Sequence, residues 1–204
     1  MEAAIAHKVV VVGDSGVGKT ALLLRFVQGT YTEKSYNGTI GGTYMAKIVT
    51  VEEGAVNLKM WDTAGQERFR SMLRMYYRNA SAALLCCDLS ERRTFLSLAK
   101  WVEDLRESLG EGVILDIACT KNDLKGSRVS IQEVTSFAEQ VGANVTFTSA
   151  KSCENVDLVF EKIARRLLKE GKTDAADQQE GAAPDSVAIS LHDGVQARRA
   201  RCAC

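Results

Sequence analysis

The chain has 204 residues, 46% of them apolar and 25% charged, and its 26 Lys+Arg balance 26 Asp+Glu to a formal net charge of zero. That length allows one ordinary domain with a real core, and the charge balance argues against a general nucleic-acid binder. With 16 Gly and 1 Pro, collagen and Pro-rich disorder are excluded, and no apolar run is long enough to suggest a membrane-spanning helix.

Apolar runs alternate with helical patterns along the chain. Val9–Val12 is a β-branched run that stops at Gly13, as a buried parallel strand should. Lys19–Gln28 reads as a helix ended by Gly29. Tyr44–Val51 and Val56–Trp61 read as strands joined by Glu52-Glu53-Gly54, a hairpin signal. Ala82–Cys87 is a buried strand, Thr94–Leu109 a helix, and Val113–Cys119 another strand. Ser130–Val141 opens with Ser130 and Glu133 spaced as a capping box. Val145–Thr148 is a short strand and Val156–Leu168 a last helix. The expected fold is α/β: a mostly parallel six-stranded sheet with helices on both faces and one antiparallel hairpin. Around Lys172 the composition turns small and polar, so the expected organisation is a globular domain over 1–170 and a linker-like tail over 171–204.

Residues 1–8 carry no basic-then-apolar leader pattern, so a reducing compartment is expected. Cys86, Cys87 and Cys119 lie in apolar runs, where free cysteine acts as a small hydrophobe. No CxxC occurs and the two histidines, His7 and His192, are far apart, so no zinc site is expected.

Gly13-Asp14-Ser15-Gly16-Val17-Gly18-Lys19-Thr20 matches G-x-x-x-x-G-K-[ST], after a strand and at the start of a helix. Glycines let successive N–H groups turn toward phosphate oxygens, and the helix N-terminus adds its positive end. Lys19 supplies a point charge to the terminal phosphates, and the Thr20 hydroxyl can ligate Mg²⁺. Asp62-Thr63-Ala64-Gly65-Gln66 follows a second strand. Asp62 can hold the metal there, Gly65 offers an amide to the terminal phosphate, and Gln66 can orient an attacking water.

Thr120-Lys121-Asn122-Asp123 follows the fifth strand. The Asp123 carboxylate offers two acceptors to guanine's ring N–H and amine, whereas adenine presents the wrong polarity. The Lys121 stem can lie over the base. Ser149-Ala150-Lys151 follows the last strand and can cap the base carbonyl with a backbone N–H. All four motifs fall at the carboxyl ends of strands, where open α/β sheets bind ligands.

Over residues 7–170 these motifs resemble the small GTPases of the Ras superfamily, and within it the Rab family. Trp61-Asp-Thr-Ala-Gly-Gln-Glu-Arg-Phe69, Ile40-Gly-Gly-Thr-Tyr44 and Tyr76-Tyr-Arg-Asn-Ala80 carry the Rab likeness, and Tyr44-Met-Ala-Lys47 is similar to the endocytic branch. The resemblance implies a GTP/GDP switch with Mg²⁺, slow without an activating protein. Thr39 would close on the metal and terminal phosphate, and Gln66 would position the catalytic water. Tyr44, Trp61 and Tyr76 would form an effector-facing aromatic triad. An exchange factor, an activating protein, effectors, a prenylation escort and a GDP-dissociation inhibitor are the implied partners, with no nucleic acid and a monomeric domain.

Cys202-Ala203-Cys204 excludes a CaaX box, which needs cysteine where Arg201 stands. By the same resemblance both cysteines carry geranylgeranyl chains, which satisfies the two-signal rule for stable anchoring. The implied location is the cytoplasmic face of endosomal or other intracellular membranes, with a cytosolic pool. Three departures stand out: Thr120 replaces the usual Asn, the Thr20-to-Thr39 spacing is one residue longer, and Tyr44 replaces the usual Phe. The altered base motif raises the alternative of a nucleotide-binding scaffold with little or no hydrolysis.

Overall fold

The computed structural model describes residues 4–33, 42–65 and 70–171. The sequence-derived positions Thr39, Gln66, Cys202 and Cys204 lie outside the described residues, and the boundary expected after residue 170 falls at their end. Six strands form one sheet in the order β2-β3-β1-β4-β5-β6. They are β1 (Ile5–Val12), β2 (Gly42–Val51), β3 (Gly54–Thr63), β4 (Ala82–Asp88), β5 (Ile114–Thr120) and β6 (Asn144–Phe147). The helices are α1 (Lys19–Gln28), α2 (Arg70–Tyr77), α3 (Arg92–Leu96), α4 (Leu98–Leu109), α5 (Ile131–Val141) and α6 (Val156–Lys169). Among these six strands β2 and β3 pair antiparallel and the other neighbours pair parallel.

The period of two along β1 divides the core. Val9 and Val11 pack with Leu22, Leu23 and Phe26 of α1 and with α6. Val10 and Val12 pack with Leu98, Trp101 and Leu105 of α4 and with α5. A strand covered on both faces is mostly apolar, which is why Val9–Val12, β4 and β5 read as near-continuous runs. Cys86, Cys87 and Cys119 are free and buried in these layers.

The differences from the sequence reading have local causes. β1 begins at Ile5 because Ile5, Ala6, His7 and Lys8 pair with β3, an effect of register that polar residues do not advertise. The expected helix over 94–109 starts at Arg92 and divides at Ser97, whose N–H and hydroxyl both donate to the Arg93 carbonyl at 3.0 Å. A serine hydroxyl bonding back to the preceding turn competes with the helix ladder. The Ser130–Glu133 capping box forms as spaced, with the Glu133 amide donating to Ser130 Oγ and the Ser130 amide to Glu133 Oε2. The sequence reading assigns no element over α2, which the structure places at Arg70–Tyr77.

One buried charge has a consequence for stability. Asp116 of β5 is 1% exposed. Burial pushes its carboxyl up to about 6, against the opposing pull of Arg166, Asn144 and Lys162. The native state therefore holds this proton more tightly than the unfolded chain, and stability should rise as pH falls through 6 toward the ordinary carboxylate value. An Asp116→Asn variant removes that slope. Between about pH 7 and about pH 4.5, wild type should gain roughly 1–3 kcal/mol relative to the variant. Urea midpoints at the two pH values measure it, and a pH-independent difference would contradict it.

Candidate nucleotide site

The segment between β1 and α1 is set by steric necessity. Gly13 has φ +137°, and a Cβ there would stand 2.2 Å from the Cys86 carbonyl oxygen of β4. The chain can leave the central strand this close to its neighbour only without a side chain. The N-terminus of α1 has no side-chain cap and no acidic residue in its first turn. Its amides are thus left for an outside anion, with the helix dipole adding attraction.

Lys19 reaches back over this loop, donating to the Gly13 carbonyl at 2.7 Å and the Asp14 carbonyl at 3.0 Å. Burial lowers its pKa, opposed by Asp62 and Asp14. The Asp14 side chain is engaged elsewhere: Trp101 Nε1 donates to Asp14 Oδ1 at 2.9 Å. Val17 is buried and its carbonyl accepts from Thr120. Of the expected phosphate contacts, Asp14 and Val17 can therefore contribute through main-chain N–H groups only, while Ser15 and Gly16 are exposed on the loop.

Opposite the loop, β3 ends in Asp62 and Thr63, with Thr63 Oγ1 donating to the Val11 carbonyl at 2.8 Å. This bond ties the end of β3 to the strand that feeds the phosphate loop. Thr20 Oγ1 donates to Asp62 Oδ2 at 2.5 Å. A hydroxyl and a carboxylate brought together beside a phosphate loop are the hard oxygen donors that Mg²⁺ prefers. Gly65 comes closest: a Cβ on it would sit 2.5 Å from Lys19 Nζ and from the Ser15 amide nitrogen. Its backbone can approach the place of a terminal phosphate as no other residue could.

Beside the first turn of α1, on the flank away from β3, lies a cavity of about 160 Å³ lined by Gly18, Ala21, Tyr31, Lys121, Asp123 and Ala150, among others. Ser149 is fully buried and its hydroxyl donates to Asp123 Oδ1 at 2.6 Å, so it orients the carboxylate. Lys121 takes a left-handed backbone, φ 58°, and its ammonium bonds Asp88 Oδ2 at 2.6 Å. Its stem is left at the cavity wall. Burial raises the Asp88 pKa, but Lys121 and Ser90 outweigh it and hold the carboxyl below its ordinary value. Lys151 also lines the cavity, with its ammonium 2.6 Å from Glu33 Oε1.

Thr120 lies at the junction of the two halves. It is buried, and its hydroxyl is 2.6 Å from the Val17 carbonyl and 2.9 Å from the Cys87 carbonyl. One hydroxyl has one proton, so the tie to the phosphate loop leaves none for a base. An Asn amide carries two donors. Thr120→Asn should slow GDP release by about 5- to 150-fold, the value of one further buried hydrogen bond. Release of a fluorescent GDP analogue measures this; an unchanged rate would show that the loop already compensates.

The three aromatic positions meet. Tyr44 and Trp61 face each other across the β2–β3 register, with ring centroids 5.4 Å apart, and Trp61 and Tyr76 are 5.8 Å apart. Lys8 Nζ lies 5.1 Å from the Trp61 ring centroid. Tyr44 is half exposed, while Trp61 and Tyr76 are partly buried against the second core layer.

Sequence reasoning missed three contributors. Tyr31 walls the cavity, and an aromatic just past the Gly29 stop is the available signal. Asp88, the acidic end of a buried strand, fixes Lys121. Arg25 of α1 bonds the 149–151 loop.

A phosphate loop feeding α1 and a base-sized cavity at its flank, both at the strand ends beside the central β1, define a P-loop nucleotide-binding domain. The Ras family model matches residues 8–169. The chain is 38% identical to Ras-related protein Rab-26 of Bos taurus, across 94% of this chain and 72% of that protein. It is 39% identical to human Ras-related protein Rab-31, across 78% and 82% respectively. Against Ras-related protein Rab-21 of Canis lupus familiaris the identity is 36%, across 98% and 92%. The chain belongs to the Rab family of Ras-related small GTPases, which bind GTP and act in membrane traffic.

Proposed function

We propose that the chain is a GTP-hydrolysing switch of endocytic membranes, read by effectors in its GTP state. The observation that carries this is one continuous site: Gly18 belongs to the phosphate loop and also walls the cavity that holds Asp123. In this reading the amides of Asp14, Ser15, Gly16, Val17 and Gly18, with Lys19 and Thr20, hold the phosphates. Lys121, Asp123, Ser149, Ala150 and Lys151 select guanine.

Thr20, Thr39 and Asp62 would hold Mg²⁺, which when bound neutralises charge between the outer phosphates. Gly65 and Thr39 engage the terminal phosphate, so both of their segments are ordered by GTP and released on hydrolysis. Gln66 orients the attacking water. The Tyr44–Trp61–Tyr76 surface changes with those segments and presents the state to effectors. An exchange factor reloads the site and an activating protein speeds hydrolysis, while a prenylation escort and a GDP-dissociation inhibitor handle the lipidated chain.

The test is single-turnover GTP hydrolysis with and without an activating protein. Turnover accelerated by the activator supports the switch. Bound GTP that is never hydrolysed would favour the scaffold alternative raised by Thr120.

The domain over 1–170 is joined by the 171–204 tail to two prenyl chains on Cys202 and Cys204. Among the described residues no helix is long and apolar enough to cross a membrane. Two chains anchor stably and one marginally, since each buried methylene adds about 0.8 kcal/mol. Either Cys→Ser change should weaken membrane retention, and the double change should move the protein to the cytosol. Fractionation of cells reads this out; wild-type retention of the double variant would refute prenyl anchoring.

A further inference from the structure

We propose that Arg25 is a positioning residue for base selection: it braces the 149–151 loop against the end of α1 and so holds the loop amide that reads the base carbonyl. This rests on the guanine reading of the cavity. Arg25 Nε donates to the Ala150 carbonyl at 2.7 Å, and Nη2 donates to the Lys151 carbonyl at 3.3 Å. Nη1 donates to the Gly29 carbonyl at 2.7 Å, closing the last turn of α1. The guanidinium also lies over the Tyr31 ring, 5.7 Å from its centroid. One side chain thus touches two parts of the cavity wall and the helix end between them.

The chemistry suits arginine alone. Its planar fork presents several donors in a fixed geometry, whereas an ammonium is a single point. Among the described residues no carboxylate pairs with Arg25, so its donors go to carbonyl oxygens. Peptide groups are planar, so holding the Ala150 carbonyl fixes the Lys151 amide in the same plane and restrains the backbone of Ala150. The far side of the loop is held separately, by Ser149 on Asp123. Arg25 therefore governs the part of the cavity that meets a base carbonyl, while Asp123 governs the part that meets the ring N–H and amine.

That division can be read with two analogues on the full-length protein. 6-Thio-GDP replaces only the base carbonyl oxygen by sulfur, and IDP lacks only the 2-amino group. Arg25→Ala should release GDP about tenfold faster. It should cut the preference for GDP over 6-thio-GDP about tenfold and leave the preference for GDP over IDP within about twofold. Arg25→Lys should recover part of the lost preference, and Arg25→Gln gives a polar variant with the same expected direction should the alanine protein fail to fold.

Two preferences that fall together would show general loosening and overturn the proposal. So would a 6-thio-GDP preference unchanged in the variants or absent from wild type. A wild type that holds ADP as well as GDP would instead overturn the guanine reading itself.

Discussion

Replacing Asp123 by Asn should weaken GDP binding by about 10²- to 10⁴-fold and strengthen binding of xanthosine diphosphate. A guanine edge offers two donors, the ring N–H and the 2-amino group, to a carboxylate that only accepts. Each charge-assisted bond contributes about 1.5–3 kcal/mol, and an Asn amide turns one acceptor into a donor that meets the amine head-on. Xanthine has an oxygen where guanine has that amine, so the same amide then fits. Ser149 should keep the new side chain in place, because its hydroxyl at 2.6 Å can donate to an amide oxygen as it does to Asp123 Oδ1. Competition of GDP, ADP and xanthosine diphosphate for the nucleotide-free protein measures the outcome. Unchanged GDP affinity would remove Asp123 from base recognition.

Gln66→Leu should leave GTP binding within a few-fold and slow activator-assisted hydrolysis by about 10²- to 10³-fold, the usual loss when one polar group aligned in the transition state is removed. Leucine keeps the volume and removes the amide that orients water. An effect on turnover without one on binding identifies a group used only in the transition state. Gly65, the preceding residue, lies against Lys19 and Ser15. Single-turnover hydrolysis of GTP with the activating protein decides it. Equal rates for variant and wild type would exclude Gln66 from the reaction and favour the scaffold reading.

Much of the molecule is written locally in its residues. Four apolar valines, a helix with Gly29 as its stop, and a serine–glutamate capping pair depend on short-range sterics and hydrogen bonds. The helix and the capping pair form where their spacing says, and the valines form the second half of a strand that begins at Ile5. The chemistry proposed for the motifs is equally local, since Gly13, Lys19, Thr20 and Asp123 carry it by residue type at fixed offsets from a strand end. Three-dimensional packing decided the rest. Trp101 meets Asp14 and Arg25 meets Ala150 across separations of 87 and 125 residues. No periodicity encodes such meetings, because they arise when separate elements share a sheet. Thr120 shows both levels: residue type alone says it donates one hydrogen bond. That its partners are carbonyls of the phosphate loop and of β4 follows only from the strand order that brings β4 between β1 and β5.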